Sequence, residues 1–458
     1  MDITFVHIGC MLGAIFLVLG AGIYVSQTVK SSEDYSVGGR SAGAVMTAGA
    51  IAGTIIGGGA TVGSSQLAFS YGLSAWWFTL GSGIGLIFMG IFYAGKMHRL
   101  GVTTIPEVLE KAYGKAAREI CTVISSVALI LSVVASGLSG IQIVALFFGV
   151  PSWAGAVILS GFVIIYTFFG GMKSAGVGGI LKMLVIFFSL FIAGFSAFSH
   201  LLAMENFSVV FPKMPWLSLF GNGLQSTLFS LFSVIVGVLC TQSYVQCVFS
   251  AASPKKAAMG CILAAFIIIP VGLPSVAVGM YMHAFEPETM PVLVLPMYLL
   301  RHESEILAGI ALGGIILSII GSIGGLSLAV GTMLSKDLIA KRFSVTNDRA
   351  LFYLMRASVV CVIALSMEIA LQSLGSEVLF WNYLSMAFRG GGILLPLTLA
   401  IFKPGCIEKQ WALLSMAAST VASILTATVI PLPINSLFVG LIVSVLFLIP
   451  GYVMREKA

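Results

Sequence analysis

Apolar residues in this chain run in blocks of roughly the 20 residues that a bilayer demands of a helix, parted by short polar stretches. The blocks fall at about 3–27, 42–70, 73–95, 117–148, 151–171, 177–201, 222–249, 258–284, 306–334, 351–373, 376–402, 411–430 and 434–453. Each reads as one crossing, about thirteen in all. The longest hydrophilic stretches, 96–118, 204–216, 286–305 and 335–349, are too short for a soluble domain. The pattern predicts an all-α polytopic membrane protein.

Basic residues sharpen that picture because they are sorted by side. Lys30, Arg40, Lys96, Arg99, Lys111, Lys115, Arg118, Lys173, Lys255, Lys256, Lys336, Lys341, Arg342, Arg349, Lys403, Lys409, Arg455 and Lys457 fall between crossings on one face. Only Lys213 and Arg301 fall on the other. The positive-inside rule makes the first face cytoplasmic, so the N-terminus is expected outside and the C-terminus inside. The first block has Asp2 before it and Lys30 after it, the reverse of a cleaved signal, and reads as a retained helix.

Composition agrees. With 59% hydrophobic and 9% charged residues over 458 positions, lipid must be the solvent. The net charge of +6 implies no nucleic acid partner, since the loops that carry it face anionic lipid. Seven cysteines show no metal-ligand spacing and read as small apolar residues. The expected setting is an integral plasma membrane of the bacterial inner-membrane type.

One crossing is anomalous. Between 42 and 70 the chain reads Gly49-Ala-Ile-Ala-Gly53-Thr-Ile-Ile-Gly57-Gly58-Gly59-Ala60-Thr61. Close helix packing needs small residues every fourth position, not a contiguous triplet. A glycine triplet weakens the helix, and the backbone groups it frees must be buried in protein or line a cavity. A broken helix is expected here, as at transporter binding sites.

Several segments together resemble the sodium:solute symporter family. They are Asp34-Tyr-Ser-Val-Gly-Gly-Arg40-Ser, Gly101-Val-Thr-Thr-Ile-Pro106-Glu107 with Glu110, Tyr113, Gly114 and Arg118, and Tyr166-Thr-Phe-Phe-Gly170-Gly171. Gln242 and Gln246 before Ala251-Ala252-Ser-Pro-Lys255-Lys256, and Ser335-Lys-Asp337, continue the series in the same order. The resemblance spans Asp34 to about Gly405 and implies a leucine-transporter-like fold, five plus five helices in an inverted repeat. By it, 1–40 is an extra N-terminal helix and inner loop, 41–205 the first repeat, 206–405 the second, and 406–458 two C-terminal helices.

The resemblance also implies a coupling-ion site. Desolvated Na⁺ takes about five or six hard oxygen ligands, which unwound carbonyls and hydroxyls can supply. By position these are the carbonyls of Gly53, Ile56 and Ser318 and the side chains at 321 and 322. Ser322 keeps its hydroxyl, but Gly321 stands where the family usually has serine or threonine. The family's fifth-helix carboxylate is also missing: the stretch here is Gly178-Gly179-Ile180-Leu181-Lys182. Lys182 lies one helical turn past the lost carboxylate. It either snorkels to the nearby membrane surface or places its ammonium where Na⁺ would sit. The second reading replaces Na⁺ coupling with proton coupling or Na⁺ independence.

Solute is expected near the midplane, between the broken helix and the block at 222–249. Gly57, Gly58, Gly59 and Ala60 leave room there. Gln242 either binds solute or caps backbone. Arg389, midway along the 376–402 block before Gly390-Gly391-Gly392, is costly unless paired. Its partner is either Glu368 or Glu377, or a solute carboxylate, which suits guanidinium geometry. The expected function is cation-coupled symport of a small polar organic solute by alternating access, with no catalysed chemistry and no cofactor beyond Na⁺ or H⁺. Nothing resembles a nucleotide-binding loop. A channel or a non-transporting sensor on the same fold is the rival class.

Overall fold

Capping residues fix where several blocks begin. Thr4 accepts from the His7 amide, Thr104 from Glu107 at 3.2 Å, Ser253 from Lys256 at 3.2 Å, Ser304 from Leu307 and Asn347 from Arg349 at 2.9 Å. Each satisfies an amide that the first helical turn leaves open. Pro106 and Pro254, within the first two positions of their helices, need no such partner.

The computed structural model describes residues 3–430, 432 and 434–456. Asp2 and Lys457, read above as flanking charges, lie outside the described residues. The helices that matter are α1 Phe5–Ser26, α2 Ala44–Ile55, α3 Ser64–Tyr71, α4 Trp77–Phe88, α5 Ile105–Tyr113 and α6 Lys115–Phe148. They continue with α7 Ser152–Phe168, α8 Gly171–Leu202, α9 Leu224–Cys240, α10 Gln242–Ser250, α11 Pro254–Phe285 and α12 Glu305–Thr332. The last are α13 Asp348–Gln372, α14 Val378–Phe402, α15 Lys409–Thr428 and α16 Ser436–Glu456. Among the described residues there is no strand, only a bridge between Ala42 and Ala251.

Ten helices among the described residues are long and apolar enough to cross a membrane, or eleven if α9 and α10, bent by 44° at their junction, count as one. That does not reach the thirteen expected. The shortfall has physical causes. α2 and α7 are too short to count, and the helical run Gly59–Arg99 counts once. At Gly72 that run passes through φ +57°, a conformation open to glycine and little else.

α12 is the axis of the bundle. Every residue from 311 to 332 is buried, and its glycines explain how. A Cβ at Gly309 would lie 2.8 Å from the His7 carbonyl of α1, and one at Gly313 2.9 Å from that of Met11. Gly325 meets Thr54 of α2, Gly324 meets Thr167 of α7, and Gly331 meets the Met355 carbonyl of α13. In lipid, where apolar burial drives little association, such close backbone approach is the main source of packing energy. Phe16, Phe188, Phe195 and Phe266 point outward, as a bilayer requires.

One end of the bundle is basic and cross-linked. Arg40 pairs with Glu33 at 3.1 Å, Lys173 with Asp34 at 2.8 Å, Lys336 with Glu107 at 2.9 Å, and Arg118 with Glu110. In the segment that follows α11, Glu286 holds both Arg301 and His302.

Candidate functional site

α2 ends where the glycine triplet approaches. Ile56 leaves helical geometry at φ −77°, ψ 87°, and the chain resumes as a wider turn over Gly59–Gly63 before α3. The expected break is there. Its consequence is electrostatic: the Gly57 amide donates to Ile55 at 2.9 Å instead of reaching back to Gly53. The Gly53 carbonyl therefore loses its helical partner inside the bundle.

Lys182 of α8 takes that carbonyl. Its Nζ donates to the oxygen of Gly53, to that of Ser318 at 3.1 Å and to that of Ile56 at 3.4 Å. Ser318 Oγ also donates to the Ile56 carbonyl. The side chain is 1% exposed, so it does not snorkel to the membrane surface. Among the described residues no carboxylate forms an ion pair with it.

Glycines make the arrangement possible. A Cβ at Gly53 would come 2.9 Å from the Gly179 Cα, and one at Gly179 would run into the Gly49 carbonyl. A Cβ at Gly321 would lie 2.5 Å from Lys182 Nζ. A hydroxyl at 321 therefore has no space while the lysine is seated, and any side chain at 179 is excluded by the Gly49 backbone itself. Among the described residues Ser322 is not a hydrogen-bond partner of the ammonium; it packs over Gly57, and the Ser136 hydroxyl donates to it at 3.4 Å. The three carbonyls are those that the family resemblance implies for a Na⁺ site, and all three already face an ammonium. The residues present do not fit a desolvated Na⁺ in addition.

The expected room for solute at the triplet is closed here. A Cβ on Gly57 would overlap Ser322, one on Gly58 Ser139, and one on Gly59 would lie 2.8 Å from Asn382 and 3.2 Å from Phe78. Ala60 is buried too. Gln242 acts as a cap: Oε1 accepts from the Ile105 amide at 2.8 Å, and Nε2 donates to the Thr103 carbonyl at 3.2 Å. Both ends of its amide are thus used on the segment that begins α5. Of the two alternatives weighed for Arg389, the ion pair with Glu368 or Glu377 does not form among the described residues. Glu368 accepts from Gln372 at 2.9 Å, and Glu377 lines a cavity of about 420 Å³ with Asn222, Gln225 and Asn435.

The sequence reading missed the polar face of α6. Ser125, Ser132, Ser136 and Ser139 are all buried, Ser136 and Ser139 facing the glycine triplet. Their recurrence three, four and seven residues apart is a helical stripe that could have signalled it. Asn382 and Ser385 of α14, one turn apart, face the triplet and α6.

Known proteins place this geometry. The model of the sodium:solute symporter family matches residues 35–419. The chain belongs to that family. It is similar to the high affinity choline transporter 1 of Homo sapiens, 27% identical over 282 residues that cover 57% of this chain and 48% of the transporter. The Drosophila melanogaster choline transporter is 23% identical over 385 residues, 78% of this chain and 60% of that protein. The sodium/glucose cotransporter of Vibrio parahaemolyticus is 24% identical over 314 residues, 63% and 57%. The chain therefore spans between 48% and 60% of the length of these relatives.

Among solved structures, a Na⁺-coupled sialic acid symporter in a substrate-bound outward-open state superposes with a TM-score of 0.81 at 16% identity, over 100% of this chain and 98% of that one. A nucleobase-cation-symport-1 family transporter in a closed conformation gives 0.64 at 13% identity, over 92% and 94%. These likenesses establish the leucine-transporter fold for this family member.

Proposed function

We propose that the chain moves a small polar organic solute across the membrane by alternating access, coupled to a cation, and that the Lys182 ammonium stands in for Na⁺. The observation that carries the reading is the seat of Nζ among the carbonyls of Gly53, Ile56 and Ser318. Those oxygens belong to α2, its break and α12, so one charge ties the interrupted helix to the axis of the bundle. Removing the proton removes the charge that holds the carbonyls, which gives a proton cycle the leverage that Na⁺ binding and release would have. Coupling to the proton gradient with little need for Na⁺ follows. The basic end faces the cytoplasm in this reading, and 41–205 and 206–405 are the two halves that rock.

The test is uptake and counterflow in proteoliposomes, for a panel of labelled carboxylates, amino acids, sugars and choline, with pH and Na⁺ gradients imposed separately. Uptake should follow an inward proton gradient, and Lys182→Gln should uncouple it from pH. Uptake that saturates with Na⁺ at fixed pH would end the built-in cation. Flux through an open pathway without counterflow would favour a channel instead.

A further inference from the structure

Arg389 is 0% exposed on α14, yet only one of its three guanidinium nitrogens has a protein partner. Nη1 donates to Ser385 Oγ at 2.7 Å. Ser385 is fixed in turn, donating to the Ala128 carbonyl and accepting from Ser132 at 2.7 Å. Nε and Nη2 are buried with no hydrogen-bond partner. Those two nitrogens form one edge of the planar group, the edge whose parallel N–H bonds match the two oxygens of a carboxylate. Among the described residues no carboxylate forms an ion pair with Arg389.

Cys240 and Tyr244 lie near the guanidinium, on either side of the break at Thr241. α10 begins at that break, and the open amides and dipole of a helix start favour an anion. Ser243, in that first turn, has a buried hydroxyl without a partner. Discontinuous helices in transporters aim such ends at anionic groups of their cargo. A buried cation with an idle fork costs stability, and membrane proteins retain one where it meets a ligand.

We propose that the free edge of Arg389, with the first turn of α10 and Ser243, receives a carboxylate on the transported solute, so the cargo is an organic acid or an amino acid rather than a sugar or a quaternary amine. This rests on the transport reading above. When the bundle opens, the carboxylate supplies the missing counter-charge, and its remaining atoms reach toward the glycine break along the polar face of α6.

The experiment uses the whole purified chain, wild type, Arg389→Lys and Arg389→Gln, unfolded thermally with intrinsic fluorescence as readout. Probes are the sodium salts of acetate, lactate, pyruvate, succinate, glutamate and proline against matched sodium chloride, with glucose and choline chloride alongside. At least one carboxylate should raise Tm above the chloride control. Its half-saturating concentration should rise roughly ten- to a hundred-fold in Arg389→Gln, the loss of a charged bidentate contact, and less in Arg389→Lys. Without probe, Arg389→Gln should unfold at or above the wild-type temperature, since no ion pair is lost. The proposal is overturned if no carboxylate outperforms chloride, if Arg389→Gln binds as the wild type does, or if both variants unfold well below it. Counterflow of glucose or choline with inert carboxylates sinks the anion site and leaves transport standing. Carboxylate binding without counterflow of any solute sinks the transport reading alone.

Discussion

Lys182 and Gly321 exclude any larger pairing at their contact: a single Cβ on residue 321 would stand 2.5 Å from the lysine nitrogen. Against the family pattern that the resemblance implies, the cation on α8 and the missing hydroxyl on α12 therefore meet at a single contact. The two positions face each other although they lie far apart in the chain.

That coupling makes Gly321→Ser informative. Alone, it should displace the ammonium from the Ser318 carbonyl and cost about 1–3 kcal/mol, the usual range for overpacking a filled interior. In a Lys182→Ala background the serine has space, and the penalty should vanish. Thermal unfolding of the four proteins in one cycle measures it. Equal costs in both backgrounds would show that the two residues act independently.

The glycine triplet permits a second test. A side chain on Gly58 would collide with Ser139 of α6, so Gly58→Leu should wedge α6 from the break and abolish uptake. Insertion should survive, because the lipid-facing surfaces are untouched. Membrane yield and proteoliposome uptake check both parts. Normal transport would return the triplet to a packing role.

The break itself was legible, because three adjacent glycines weaken a helix wherever they stand, and helix-weakening is local chemistry. Gln242 was not. Its partners lie at Thr103 and Ile105, 139 and 137 residues away, and periodicity carries no record of such distances. The sequence left Arg389 open between Glu368 or Glu377 and a solute carboxylate for a related reason: the direction a side chain takes from its helix depends on neighbours that only the packed bundle supplies. Lys182 became readable only beside the family pattern, since an isolated lysine near a helix end fits snorkelling equally well.

Topology is open to direct measurement. The asymmetry of lysine and arginine predicts that Glu288, after α11, faces outward and that Lys341 and Lys409 face the cytoplasm. All three positions are exposed. With the native cysteines replaced, a membrane-impermeant maleimide applied to intact cells should label Glu288→Cys and spare Lys341→Cys and Lys409→Cys until the cells are broken. The opposite pattern inverts the protein in the membrane.

At the basic end, Glu107 of α5 offers a pH signature. Burial alone would raise its pKa from 4.5, but Lys336 at 2.9 Å and the amides of Thr103 and Thr104 outweigh that and hold it lower. A carboxylate whose folded pKa is depressed contributes stability that is complete above its unfolded value and fades as pH falls through the folded one. The contribution should therefore be intact at neutral pH and decline once pH drops below about 4.5, the unfolded value. Since Lys336 keeps 29% of its side chain exposed, screening limits the pair to about 1 kcal/mol. Glu107→Gln should thus lower Tm modestly at pH 7, and the gap from wild type should close on acidification. Tm measured across that range in both proteins decides it. A gap that persists unchanged at low pH would mean that Glu107 acts through packing of α5 against α6, not through its charge.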